Sequence, residues 1–242
     1  MFNFYGKSTK SYLKEENEDS LLVNKIISND KPIKGSSIKE SILFAIADGV
    51  GGSKYGKIAS NYILSELSKN RNLLNHQIIL NIIKNTHQYL IKNYSNDAQT
   101  VVSIIWIENE KFAIYHIGDT RVYLMTKRNF IQLTNDHTYV QELVDKGIIS
   151  ENMKSSHNKK NIITQSLGGS HEIKIDIYNG LIEPEDKLLL STDGIHDYID
   201  DNKIHEILFK TNNLEKNINT LITLAKDNGS KDDLSGIVVF YK

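Results

Sequence analysis

Apolar positions along the chain follow two periodicities. Short runs rich in β-branched and aromatic residues predict strands at Ile42–Ala47, Val101–Ile107, Phe112–Ile117, Arg121–Met125, Lys187–Leu190 and Gly236–Tyr241. Elsewhere apolar residues return at helical spacing: Ile58, Tyr62, Ile63 and Leu67; Ile79, Ile83, Thr86 and Leu90; Ile218, Leu221, Ile222 and Ala225. Two helices therefore follow the Ile42–Ala47 strand, and three strands then run in succession from Val101 to Met125. Asn109–Lys111 and Gly118–Thr120 read as hairpin-type connections, which implies antiparallel sheet rather than βαβ winding. The polar stretch Ser28–Glu40 reads as a hairpin or loop between strands, and Glu151–Asn161 as a mobile surface segment. Paired helices and meandering strands predict an α+β architecture of face-to-face sheets with helices outside.

Composition narrows the function classes. The chain has 242 residues, 39% hydrophobic and 24% charged, with a formal net charge of -1. That balance is globular and offers no basic footprint for nucleic acid. With no cysteine there is no disulfide, thiolate chemistry or Cys-ligated zinc. No apolar run reaches the length of a membrane span, and the start of the chain lacks the apolar core of a signal peptide. The expectation is a cytoplasmic protein with no nucleic-acid or membrane partner.

The acids are placed unusually. The stretch "SILFAIADGVGG" (Ser41 to Gly52) runs an apolar strand into Asp48 and then into glycines. Glu18 and Asp19 stand just before "LLV", Asp119 lies in "IGDTR", Asp193 follows "LLLST", and Asp232 and Asp233 precede "LSGIVVFY". Each marks the end or start of an apolar strand. Any one of them alone reads as a turn, because Asp and Gly favour turns. Taken together they suggest strand ends converging on one edge, where crowded carboxylates raise each other's pKa unless cations lie among them. Oxygen-only ligands favour Mg²⁺ or Mn²⁺, and two such ions can polarise a shared water and hold a phosphoryl oxygen. Asp48 is then the candidate shared ligand, Gly49 a candidate carbonyl donor, and Gly51 and Gly52 the tight turn into a helix starting near Lys54.

The same loop has a rival reading. Gly51 to Lys57, "GGSKYGK", fits most of a phosphate-binding loop. Ile58, however, stands where that loop needs a hydroxyl for magnesium, and Asp48 would repel the phosphates.

Seven stations in order carry a family resemblance: "NEDS" (Asn17 to Ser20), "ADGVGG" (Ala47 to Gly52), "GDTRVYL" (Gly118 to Leu124), "LTNDHT" (Leu133 to Thr138), "ITQSLGG" (Ile163 to Gly169), "LLLSTDGIHD" (Leu188 to Asp197) and "GSKDDLSGIVV" (Gly229 to Val239). Together they resemble the bacterial metal-dependent serine/threonine protein phosphatases of the PPM, or type 2C, family. The resemblance covers almost the whole chain and implies one domain over residues 1–242, a four-layer α-β-β-α sandwich of two antiparallel sheets flanked by helix pairs. It implies that Asp48, Asp193 and Asp232 are the central catalytic acids. Asp48 bridges two Mn²⁺ or Mg²⁺ ions, Gly49 offers its carbonyl, Asp193 and Asp232 complete the first ion, and Glu18 and Asp19 hold the second. Asp119, with Asp193, matches the acid that recruits a third, weaker ion. A bridging water then attacks phosphoserine or phosphothreonine in line, with no phosphoenzyme. Residues 139–161 correspond to a mobile flap beside the active site. Phosphoprotein substrates, a cognate Ser/Thr kinase and a monomeric state are implied in the same way.

The chain also departs from the family pattern. Lys14 stands where an arginine usually grips the substrate phosphate; it keeps the charge and loses the bidentate fork. None of Arg71, Arg121 and Arg128 is an obvious substitute. Asp233 replaces a usual Asn, Val50 a histidine common in eukaryotic members, and "AQT" (Ala98 to Thr100) a usual "GTT". Lys14 and Asp233 keep open an alternative: a weak or inactive member that binds phosphoproteins or a kinase. His137 reads as a structural hydrogen-bonding residue, His196 as a surface or packing residue, His157, His171 and His205 as exposed, and Trp106 as core.

Overall fold

The computed structural model describes every residue except Lys39, Gly52, Ser170 and His171. Its strands are β1 (Phe2–Thr9), β2 (Ser20–Val23), β3 (Ile26–Ser28), β4 (Ile33–Ser37), β5 (Ser41–Gly49), β6 (Thr100–Glu108), β7 (Lys111–Ile117), β8 (Arg121–Met125), β9 (Phe130–Gln132), β10 (Asp176–Leu181), β11 (Lys187–Ser191) and β12 (Leu234–Tyr241). The helices are α1 (Gly56–Lys69), α2 (His76–Tyr94), α3 (Tyr139–Asp145), α4 (Asp193–His196), α5 (Asp201–Lys210) and α6 (Leu214–Asp227). Among the described residues no helix is long and apolar enough to cross a membrane.

The strands form two six-stranded sheets, ordered β4-β1-β12-β11-β8-β9 and β10-β7-β6-β5-β2-β3, with every pairing antiparallel. Strand alternation builds the layers. On β5, Ile42, Phe44 and Ile46 face the other sheet, where Leu188, Leu190, Ile237 and Val239 meet them. Leu43, Ala45 and Ala47, of opposite parity, pack against Ile63, Leu64 and Leu67 of α1 and Ile79 and Ile83 of α2. On β12, Val238 and Phe240 turn outward onto Ile207, Ile218 and Leu221 of α5 and α6. Both faces of each central strand are buried, so these strands read as nearly continuous apolar runs. The result is the expected α-β-β-α sandwich.

Several local expectations need correction. The six predicted strands are all present, but β1, β2, β3, β4, β9 and β10 were not among them. Strand β4 lies inside Ser28–Glu40, which had read as a hairpin or loop between strands. Asn109 and Glu110 form a true two-residue hairpin, both with φ in the left-handed region (48° and 67°), as a type I′ turn requires. Gly118–Thr120 is no hairpin: β7 belongs to one sheet and β8 to the other, so this corner carries the chain across the sandwich. Gly118 adopts φ +102°, and a Cβ there would lie 2.0 Å from Val101 Cγ1. Helix α1 starts at Gly56 rather than near Lys54, and its buried face is Ala59, Ile63, Leu64 and Leu67, with Ile58 exposed. The expected role of Gly52 and the exposure of His171 lie outside the described residues.

Candidate active site

Strand β5 delivers Asp48 and Gly49 as its last two residues, still paired with Val101 and Thr100 of β6. Asp48 therefore projects from regular strand, and its carbonyl accepts a 2.6 Å hydrogen bond from Thr100 Oγ1. This is what the altered "AQT" segment retains. The glycine at 49 follows from close approach. A Cβ there would lie 2.6 Å from the Gly56 carbonyl carbon and 2.9 Å from Glu18 Cβ. Gly56 is constrained in turn, since its own Cβ would meet Glu18 Oε1 at 2.8 Å. The start of α1, the end of β5 and the Glu18 segment thus close on each other through bare backbone.

The other acids arrive from separate elements. Glu18 and Asp19 precede β2; Asn17 Oδ1 accepts from the Asp19 N–H at 3.1 Å. Asp119 sits in the corner between the sheets, Asp193 opens α4 directly after β11, and Asp232 stands two residues before β12. Two of these acids have a buried oxygen without a hydrogen-bond partner: Asp19 Oδ1 and Asp193 Oδ1. The other Asp19 oxygen accepts from Thr192 Oγ1 at 3.0 Å.

Their charges act on one another. Burial, and then the negative charges of Asp19, Asp193, Asp232 and Asp119, push the Asp48 carboxyl well above the ordinary range. Burial and Asp193 do the same to Asp119. Asp19 rises to about 7 through burial and Asp233, and Asp193 to about 7 through burial, Asp232 and Asp197. The structure thus gathers Asp19, Asp48, Asp119, Asp193 and Asp232 into one electrostatic group. Glu18 joins it through Lys14, whose Nζ lies 3.0 Å from Glu18 Oε2 and 2.6 Å from Asp232 Oδ1.

A hard divalent cation fits this donor set. The donors are carboxylates and backbone carbonyls, and the two unpartnered buried oxygens lack a positive partner that a cation would provide. The shell is not pre-assembled: among the described residues no three acid or histidine side chains already surround a single point as metal ligands. Lys14 reaches into the group instead.

Beside the acids lies a cleft of about 710 Å³, with Asp119, Asp193 and Asp232 in its wall and residues of the 139–161 segment opposite. That segment is the short helix α3 and a 3-10 turn, Glu151–Met153, in polar loop. Two lysines tie it down. Lys154 lies 4.0 Å from Asp136, and Lys160 Nζ lies 3.2 Å from Asp197 Oδ2. Arg121 also faces the cleft and grips Asp136 through Nε at 3.0 Å and Nη2 at 2.6 Å. Burial alone would raise the Asp136 carboxyl; Arg121 overrides this and holds it at about 2. Arg121 is thus engaged by Asp136 and is no free substitute for the missing arginine. Sequence reasoning did not pair these residues, although Asp136 lies inside the "LTNDHT" station and Arg121 is two residues from Asp119.

The histidines and the lysine of the rival loop also take definite places. His137 Nδ1 accepts from the Gly118 N–H at 3.1 Å, and its Nε2 stands 3.2 Å from Asp176 Oδ2, so it braces the Asp119 corner structurally. His196 is buried against Ser191 Oγ at 2.9 Å; burial, with Arg121, holds its pKa well below the usual range. His205 is not freely exposed, since it is half-buried and stacks on Phe130. Lys57 of the rival loop lies on α1 and is engaged by Glu16 at 2.7 Å, and β5 is antiparallel to both neighbours.

The family model for protein phosphatase 2C matches residues 5–166. Protein phosphatase PhpP of Streptococcus pneumoniae is 30% identical over 210 residues, covering 81% of this chain and 85% of that protein. The crystal structure of serine/threonine phosphatase Stp1 from Staphylococcus aureus superposes with a TM-score of 0.87 at 27% identity, covering 100% of this chain and 96% of that one. The catalytic domain of the serine/threonine protein phosphatase PstP, solved with two manganese ions, matches with a TM-score of 0.79 at 24% identity, covering 99% of both chains.

Proposed function

The chain belongs to the protein phosphatase 2C family, and from that premise we propose that it hydrolyses phosphoserine and phosphothreonine in proteins at the carboxylate centre. The observation that carries this reading is the electrostatic convergence of Asp19, Asp48, Asp119, Asp193 and Asp232 from separate strand ends. The two manganese ions of the PstP structure support Mn²⁺ or Mg²⁺ as cofactor.

Asp48 would be shared by two ions. Asp193 and Asp232 would complete one, Glu18 and Asp19 would hold the other, the Gly49 carbonyl would serve one of the two, and Asp119 with Asp193 would hold a weaker third. When bound, the ions would neutralise the phosphoryl oxygens and acidify a water for in-line attack without a phosphoenzyme.

The chain's own residues supply placement. Thr100, Asn17 and Thr192 hydrogen-bond to the Asp48 carbonyl, the Asp19 N–H and the Asp19 carboxylate, fixing the acids at the strand ends. Such pre-set geometry removes reorganisation from the reaction. Lys14 would face the substrate phosphate as a point charge. Segment 139–161 would act as the flap that shapes substrate choice. A Ser/Thr kinase that writes the phosphate, a monomeric state and a cytoplasmic location complete the reading. Acid quenching during turnover of a phosphothreonine peptide labelled with ³²P tests the mechanism: free labelled phosphate and no labelled protein is the expected result. Labelled protein would overturn direct hydrolysis.

A further inference from the structure

Lys14 touches more carboxylates than any other lysine of the centre. Its Nζ lies 2.6 Å from Asp232 Oδ1, 3.0 Å from Glu18 Oε2 and 3.3 Å from Asp233 Oδ2. An ammonium has three N–H donors and here stands within ion-pair distance of three carboxylates, donating a hydrogen bond to Asp233 Oδ2. The three acceptors differ in kind. The Asp232 side chain is 40% exposed and that of Glu18 20%, whereas that of Asp233 is 0% exposed.

Asp233 is locked into the fold. Its Oδ1 accepts from the Ser11 N–H at 2.7 Å, and its Oδ2 accepts from the Glu18 N–H at 2.9 Å. A Cβ on Gly194 would lie 1.9 Å from the Asp233 carbonyl oxygen, so the backbone around it is equally confined. The loop from Ser11 to Glu18 is therefore wrapped round one buried carboxylate. Two amide donors satisfy hydrogen-bonding needs but leave the negative charge, and a buried charge without a counter-ion is costly. Lys14 is the cation that meets it. Asparagine at 233 would require no cation, but it could accept only one of these two N–H bonds, since its Nδ2 is a donor. The two departures from the family pattern, Lys14 and Asp233, thus account for each other. A compact ammonium can meet three separately placed carboxylates, where a planar guanidinium fork suits one.

We propose that Lys14 is the internal counter-cation of Asp233, and that it competes with the divalent ions for Asp232 and Glu18. The competition rests on the metal assignment given above; the pairing with Asp233 does not. Lys14 stabilises the metal-stripped protein and weakens metal binding, because an ion must displace it from both Asp232 and the partly buried Glu18. Asp233 keeps it at the site, where the two released donors can turn to a phosphate.

A double-mutant cycle of Lys14→Gln, Asp233→Asn and the pair tests this, with Lys14→Arg as a charge-preserving control. Melting temperature in chelator and Mn²⁺ affinity by calorimetry are read without reference to activity. Lys14→Gln is expected to lower the melting temperature in chelator and to tighten Mn²⁺ binding about tenfold or more, the weight of one partly exposed charged contact. Asp233→Asn alone also strands one of the two N–H donors, so the double variant is expected to lose less melting temperature than the two single variants summed, a non-additive pair. Lys14→Arg should stay nearer the wild type in chelator. Additive effects on melting would overturn the pairing. Unchanged Mn²⁺ affinity in Lys14→Gln would overturn the competition. A wild-type protein that takes up no Mn²⁺ would overturn the metal assignment and the competition together, and the cycle in chelator would still decide the pairing.

Discussion

Thr192 Oγ1 donates to Asp19 Oδ2 at 3.0 Å, and in doing so it joins the end of β11 in one sheet to the start of β2 in the other, at the floor of the acidic centre. The same hydroxyl oxygen accepts from the Ser235 N–H at 3.2 Å on β12. Thr192→Val keeps the shape and removes both bonds. It is expected to lower stability by about 1–3 kcal/mol, the cost of stranding buried polar partners, and to weaken Mn²⁺ binding. Urea titration and calorimetry check the two effects. Unchanged Mn²⁺ affinity would mean that Thr192 does not position Asp19.

Gly49 and Gly56 pack backbone to backbone, and this is the physical reason for the glycine directly after Asp48. Gly49→Ala forces a Cβ to within 2.6 Å of a main-chain carbon that cannot move aside as a side chain could. Overpacking of this kind costs about 1–3 kcal/mol. The midpoint of urea unfolding should fall accordingly, whereas Gly51→Ala, with nothing within 4 Å of its Cβ, should leave it nearly unchanged. Equal effects at the two positions would refute the close-approach argument.

Acid crowding sets a pH dependence. Asp19 and Asp193 titrate at about 7 when folded, against an ordinary 3.8. Between those values the folded chain keeps protons that the unfolded chain has lost. Stability from these two groups is therefore greatest below about pH 4 and falls as the pH rises to about 7. In chelator, unfolding at pH 5 should need more urea than at pH 7.5, and Asp19→Asn should flatten the difference. Saturating Mn²⁺ should remove it, since the ions provide the missing positive charge. Greater stability at pH 7.5 in chelator, with Asp19→Asn making no difference, would contradict the crowding.

Arg121 and Asp136 form the buried ion pair at the back of the cleft. Removing Arg121 leaves the buried Asp136 with only Lys154 at 4.0 Å and the Gln132 amide as partners. Arg121→Gln should cost about 3–5 kcal/mol, and Asp136→Asn added to it should restore a substantial part. Denaturant unfolding of the single and double variants measures this. Simple additivity would show that the two residues are not coupled.

The central strands and the acids at their ends were legible in the sequence, for a definite reason. Strands β5, β6 and β12 are buried on both faces, so their apolar runs are long and their terminating acids stand out. Edge strands carry no such signal. Strand β4, Ile33–Ser37, has three of its five residues exposed and reads as polar chain. The Gly118–Thr120 corner looked like a hairpin because sheet membership depends on packing across the sandwich, not on local turn chemistry. Lys14 and Asp233 were visible only as departures from a pattern. Their contact, across a sequence separation of 219 residues, depends on β1 and β12 pairing side by side and needed the three-dimensional arrangement. Asp136 was in view within its station, but nothing local ties it to Arg121.

The most direct measurement is the hydrolysis of a phosphothreonine peptide by the purified protein, with Mn²⁺ and with chelator, beside Asp193→Ala. The account predicts turnover that requires Mn²⁺, is lost in chelator and falls by orders of magnitude in Asp193→Ala while the variant still folds. Absence of turnover in a wild-type protein that demonstrably binds Mn²⁺ would contradict it, and would leave a phosphoprotein-binding family member in place of an enzyme.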